Sequence, residues 1–112
     1  MNVATRKSIV NFITEQLAGA GTIQAKPMFG EYGLYCDGKL TALICDDQLF
    51  VKPTPSGEAL VGDIAWASPY PGAKPIMLIP GDRWDDPEWL SNLIKITSSQ
   101  LLAPKPKRGK SK

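Results

Sequence analysis

Histidine is absent from all 112 residues, which excludes every Ser-His-Asp or Cys-His catalytic arrangement and every metal site built on imidazole. Cysteine is scarce. Cys36 and Cys45 are the only two, half of what an all-cysteine tetrahedral zinc site requires. No apolar run approaches the ~20 residues of a membrane-spanning helix. Met1-Asn2-Val3-Ala4-Thr5-Arg6-Lys7 leads into an interrupted pattern, not the continuous apolar stretch of a secretory signal. The glycines of Gly30-Glu31-Tyr32-Gly33 are not followed by Lys-Ser/Thr and open no helix, so they form no phosphate loop. These absences lead us to expect a cytoplasmic protein without membrane association, cofactor, metal or catalytic residues.

What remains is an ordinary globular composition, 43% hydrophobic and 21% charged, in a chain the length of one domain. Charge is unevenly placed. Lys105, Lys107, Arg108, Lys110 and Lys112 crowd the end of the chain without an acid among them; setting those five aside leaves eight of the 13 basic residues against 11 acidic ones. The division expected is a folded domain over 1–103 and a basic tail over 104–112 with nothing to bury. Five positive charges can neutralise up to about five phosphates, so the tail is a candidate for salt-dependent nucleic-acid contact without base readout.

Hydrophobic spacing predicts the elements. Ile9, Ile13 and Leu17, with Phe12 beside them, give the stripe of an amphipathic helix over Thr5 to Ala18, stopped by Gly19 and Gly21. Asp37-Gly38 between two apolar runs is a two-residue hairpin turn needing positive φ at both positions. Asp46-Asp47 makes a second turn, so 32–52 reads as a three-stranded antiparallel meander. Ser56 is the expected cap of a short helix over Gly57 to Val61. Ala65 to Ser68 and Ile76 to Ile79 supply one or two further strands. Asp86-Pro87-Glu88 starts a last helix running to about Leu102. Trp66 and Tyr70 are read as core or turn anchors. The fold class expected is α+β, a two-layer arrangement of antiparallel sheet with helices on one face.

The meander's register follows from its turns. Cys36 faces Lys39, Tyr35 faces Leu40, Leu34 faces Thr41, Ile44 faces Leu49 and Leu43 faces Phe50. Opposed residues share a face, so Tyr35, Leu40, Ala42, Ile44, Leu49 and Val51 lie on one side. Tyr32, Leu34, Leu43, Phe50 and both cysteines lie on the other, diluted by Lys39, Thr41, Gln48 and Lys52. Helices can shelter only one of two apolar faces. Tyr32, Leu34, Leu43 and Phe50 are therefore the expected contact residues for a second copy or an unidentified protein partner. The cysteines stand six ladder positions apart, roughly 20 Å, against the ~7 Å Cα limit of a disulfide, and are expected as free thiols.

Met28-Phe29-Gly30-Glu31-Tyr32-Gly33, followed by Asp37-Gly38 and by Asp46-Asp47 before Gln48-Leu49-Phe50-Val51-Lys52, resembles the core signature of the TfoX/Sxy N-terminal domain. The resemblance runs from about residue 5 to 102. It rests on Met28, Phe29, Gly30, Gly33, Asp37, Gly38, Asp46 and Asp47. It implies a two-layer fold similar to the secretion-chaperone-like class, a homodimer, and a link to regulation of bacterial competence genes without enzymatic activity. The resemblance supplies no catalytic residues.

Overall fold

The computed structural model describes residues 6–28 and 31–101. Its elements run α1 (Lys7–Gln16), β1 (Ile23–Met28), β2 (Glu31–Cys36), β3 (Lys39–Cys45), β4 (Gln48–Val51), α2 (Pro55–Val61), β5 (Trp66–Ala67), β6 (Ile76–Ile79), a 3-10 turn (Gly81–Arg83) and α3 (Pro87–Gln100). The six strands form one antiparallel sheet in the order β1-β2-β3-β4-β6-β5. The expected α+β class and the meander are present.

Both predicted turns form. Asp37 and Gly38 take φ of 52° and 84°, and Asp46 and Asp47 take 53° and 61°. All four are left-handed, the twist that a two-residue hairpin between right-twisted strands requires. Aspartate tolerates this region better than most residues because its short side chain bonds locally.

The strand β1 escapes the sequence pattern. Pro27 interrupts it, and proline forfeits a ladder donor. At the sheet edge that loss costs no inner hydrogen bond, so Ile23–Met28 pairs with β2 from Ile23↔Cys36 to Met28↔Glu31.

Register departs from expectation at one residue. Cys36↔Lys39, Tyr35↔Leu40, Leu43↔Phe50 and Ile44↔Leu49 are as predicted, but Leu34 faces Ala42 instead of Thr41. The ladder shifts between Leu34 and Tyr35, and Thr41 is the extra residue of a β-bulge. Its hydroxyl donates to the Leu34 carbonyl at 3.0 Å, and its own carbonyl accepts Lys52 N–H at 2.9 Å, so the bulge leaves both satisfied. Because side chains alternate with period two, one inserted residue exchanges the faces of everything beyond it. Tyr32, Leu34 and Cys36 thus join the side of Ala42, Ile44, Leu49 and Val51, while Tyr35 and Leu40 move to the side of Leu43, Cys45 and Phe50.

The helices choose between those sides. Val10 and Ile13 of α1 with Leu17 just after it, Val61 of α2, and Leu90, Leu93 and Ile94 of α3 pack with the Leu34–Ala42–Ile44 side in the main core. Gln16 Nε2 donates to the Trp84 carbonyl at 2.6 Å and Ser91 Oγ to the Gln16 carbonyl at 3.0 Å, tying α1 to the start of α3. Lys39, expected among the residues diluting the second face, lies on this side instead. Its ammonium donates to the carbonyls of Ser98 and Leu101 at 2.9 and 3.2 Å, where the negative end of the α3 dipole favours a cation.

Helix starts follow local chemistry with one exception. Asp86 accepts Trp89 N–H at 3.1 Å to cap α3, with Pro87 in its first turn as expected. α2 is capped by Thr54, not Ser56: Thr54 Oγ1 accepts Gly57 N–H at 3.2 Å, and Pro55 takes the first helical position. A methyl group on Gly57 would come 2.8 Å from that hydroxyl, so the cap leaves room only for glycine here, while Leu93 on α3 would stand at an ordinary 3.5 Å.

Candidate interaction surface

The side of the sheet opposite the helices has its own apolar cluster. Leu43 and Cys45 of β3 and Phe50 of β4 are its buried centre, with half-buried Met28, Leu40, Ala67, Ile76 and Leu78 packed around them. Among the described residues no helix contributes to it. β6 illustrates the division: Met77 and Ile79 enter the main core, while Ile76 and Leu78 alternate to this second side.

Gly33 is part of how the face is built. A Cβ there would lie 2.8 Å from Met28 Sδ, 3.1 Å from Leu40 Cδ1 and 3.3 Å from Tyr35 Cε1. Lacking a side chain, β2 lets those three close over its backbone. Beside them, the Lys26 ammonium stands 4.8 Å from the Tyr35 ring centroid, a cation–π contact on the same face.

The expected contact residues separate. Leu34 is fully buried in the main core and Tyr32 packs against that core, so neither lies on the helix-free side; the Thr41 bulge corrects that expectation. Leu43 and Phe50 do lie on that side, but they are only 9% and 3% exposed beneath their neighbours. What a partner would meet is the ring around them, Met28, Leu40, Ile76 and Leu78. The signal that finds this ring is the Leu40-to-Cys45 run read with a one-residue insertion. Phe29 and Gly30, and Lys105, Lys107, Arg108, Lys110 and Lys112 of the tail, lie outside the described residues, as do Thr5 and Leu102 at the predicted helix limits.

The aspartates of the turns hold the chain together. Asp37 Oδ1 accepts Thr22 N–H at 2.9 Å, while Asp37 N–H donates to the Thr22 carbonyl at 2.8 Å. Asp47 accepts from Arg6, and Asp46 N–H donates to Glu31 Oε1 at 3.0 Å. Among the described residues no three His, Cys, Asp or Glu side chains converge as metal ligands.

Both cysteines are free and buried, but on opposite faces of the sheet, not on one as the unbulged register implied. Cys36 is in the main core, its Sγ 3.6 Å from the Ala20 carbonyl. Burial raises its pKa, against a hydrogen bond from Ser98 that lowers it. Burial, with Glu31 and Asp46 nearby, pushes the Cys45 thiol up to about 11. Neither environment favours the thiolate that a nucleophile or metal ligand must be.

Two further features lie elsewhere. Trp66 and Tyr70 are 46% and 54% exposed, so neither anchors the core; of the core or turn roles the sequence suggested, Tyr70 takes the turn, closed by Ala73 N–H on its carbonyl. An open groove of about 870 Å³ runs between the end of α1 and the start of α3, with Glu15, Asp86, Glu88, Trp89 and Lys95 on its walls. No helix among the described residues is long and apolar enough to cross a membrane.

Comparison with known proteins adds two matches. The family model for the TfoX N-terminal domain matches residues 15–101. A protein of Spirochaeta aurantia described as an uncharacterized 12.7 kDa protein in the trpE 5' region is 33% identical over 110 residues, covering 98% of this chain and 95% of the relative.

Proposed function

This chain belongs to the TfoX N-terminal domain family, and from that premise we propose that it is a non-enzymatic regulatory module that works by binding another protein through the helix-free face of its sheet. One observation carries the reading. Three helices cover one apolar face of the sheet, and the ring of Met28, Leu40, Ile76 and Leu78 on the other has no helix over it among the described residues. Contiguous apolar surface of this kind marks contact sites on small proteins. The environments of Cys36 and Cys45 also support a role without covalent chemistry, since burial holds both as neutral thiols. The process served is control of competence genes, on the strength of family membership.

The test replaces the native copy with Leu78→Glu, a change on the ring that spares the main core. The expected result is a folded protein, judged by an unchanged far-UV spectrum, whose cells match a deletion strain in competence-gene transcripts and DNA uptake. Deletion without any change in those transcripts would overturn the regulatory reading. A Leu78→Glu strain indistinguishable from wild type would overturn the assignment of the surface.

A further inference from the structure

We propose that the helix-free face is a seat for an acidic amphipathic helix supplied by a protein partner. The proposal rests on the reading of that face as a contact surface and adds the chemistry of what it contacts.

The argument begins with the charges around the apolar ring. Lys26 on β1 lies on this side, over Tyr35. Lys52 follows Val51 at the end of β4, and since Val51 enters the main core, alternation puts Lys52 on the side of Phe50. Exposed Lys74 lies two residues before Ile76. None of these three lysines makes an ion pair with another described residue. The nearby acids, Glu31 and Asp46, stand together at one end of the face, beside Cys45.

The spacing matches a helix. Leu40 and Leu43 form the apolar line along β3. β1, with Lys26, is two strands to one side; β6, which follows Lys74, is two strands to the other, with β4 and Lys52 between. At ~4.8 Å per strand each flank is about 10 Å from β3. An α-helix about 10–12 Å across, laid along β3, places its apolar stripe on Leu40 and Leu43, with Met28, Ile76 and Leu78 at its margins, and its polar edges beside Lys26 and Lys52. Glutamates or aspartates on those edges supply the missing counter-charges, while leucine-type residues fill the ring.

Other occupants fit less well. Face-to-face pairing with a second copy would set lysine-rimmed surfaces against each other, a like-charge arrangement that opposes association. Single-stranded nucleic acid needs aromatic rings free for stacking. Here the ring nearest the surface, Tyr35, is already covered by Lys26, and the rest of the ring is aliphatic or thioether.

The experiment uses the full chain and a fluorescent synthetic helix of about 18 residues, with leucine at i, i+3, i+4 and i+7 and glutamate on the flanks. Anisotropy should show saturable binding that weakens as salt rises. A Lys52→Glu, Lys74→Glu double variant, unchanged in melting temperature, should bind about tenfold more weakly. Lys26→Gln is the second variant and should weaken binding in the same direction. The proposal is overturned if a scrambled peptide of the same composition binds as tightly, if the lysine variants bind like wild type, or if an oligothymidylate of about 20 nucleotides binds more tightly than the helix. If the peptide fails while Leu78→Glu still reproduces the deletion phenotype, the contact surface stands and the acidic-helix chemistry is rejected.

Discussion

Arg6 and Asp47, 41 positions apart, meet twice: Arg6 N–H donates to Asp47 Oδ1 at 2.8 Å and Arg6 Nε to Oδ2 at 2.8 Å. Arg6 is the residue preceding α1 and has no side-chain cap of its own, so a carboxylate from the β3–β4 turn serves the open end of the helix. The same aspartate holds a left-handed φ of 61°. One residue therefore shapes a hairpin turn with its backbone and anchors a helix with its carboxylate.

Two substitutions separate those roles. Asp47→Ala removes the acceptors and puts a β-carbon without local hydrogen bonds in the left-handed region, and should cost about 1–2 kcal/mol by denaturant unfolding. Asp47→Asn keeps an acceptor and tolerates that φ, so it should cost less than about 0.5 kcal/mol, the more so because the ion pair is solvent-exposed. The hydrogen bond from Arg6 N–H, with the guanidinium adding to it, lowers the Asp47 pKa. A lowered folded value stabilises the protein above the ordinary aspartate value of 3.8 and is lost as pH falls through the folded one. The wild-type and Asp47→Asn stability curves should therefore converge at the acid end. Curves that stay parallel would show that the charge of Asp47 contributes nothing.

Leu34 and Leu78 test the bulge. Leu34 is fully enclosed under the helices, whereas Leu78 is half-buried on the helix-free side. Leu34→Ala should cost about 2–5 kcal/mol and Leu78→Ala less than half as much. Equal costs would restore the unbulged register, in which Leu34 belongs to the uncovered face.

Cys45 predicts alkaline behaviour. With its thiol pushed up to about 11 from 9.0, the folded protein favours the neutral form. That contribution is complete below the unfolded value of 9.0 and is lost as pH rises toward the folded one. Stability should decline between these values, and Cys45→Ala should flatten the decline. Iodoacetamide at pH 8 should label Cys45 far more slowly in the folded chain than in guanidinium, and rapid labelling of the native chain would contradict its burial.

Local chemistry was legible from residues alone where the determinant and its consequence are neighbours. Asp37-Gly38 set a turn because two adjacent positions must take positive φ, and that turn fixed Cys36↔Lys39 and Tyr35↔Leu40 beside it. Asp86-Pro87 set the start of α3 in the same way. Ser56 misled because Thr54, two residues earlier, offers an equivalent hydroxyl, with Pro55 between them suited to the first helical turn. Phe12 misled because its place beside the α1 stripe still left it 38% exposed.

The sequence by itself determined the helices, the strands from β2 onward, the two aspartate turns and the family signature, all through interactions spanning a few residues. Only the tertiary structure decided which face of the meander the helices cover. Leu40-Thr41-Ala42-Leu43-Ile44-Cys45 is apolar on both sides, so alternation gives no preference between neighbouring registers. Packing against α1 and α3 selects the register with Thr41 as the extra residue, burying Leu34 and Cys36 inside and leaving Leu40 and Tyr35 outside. That choice, made by burial across distant parts of the chain, defines the surface left for a partner.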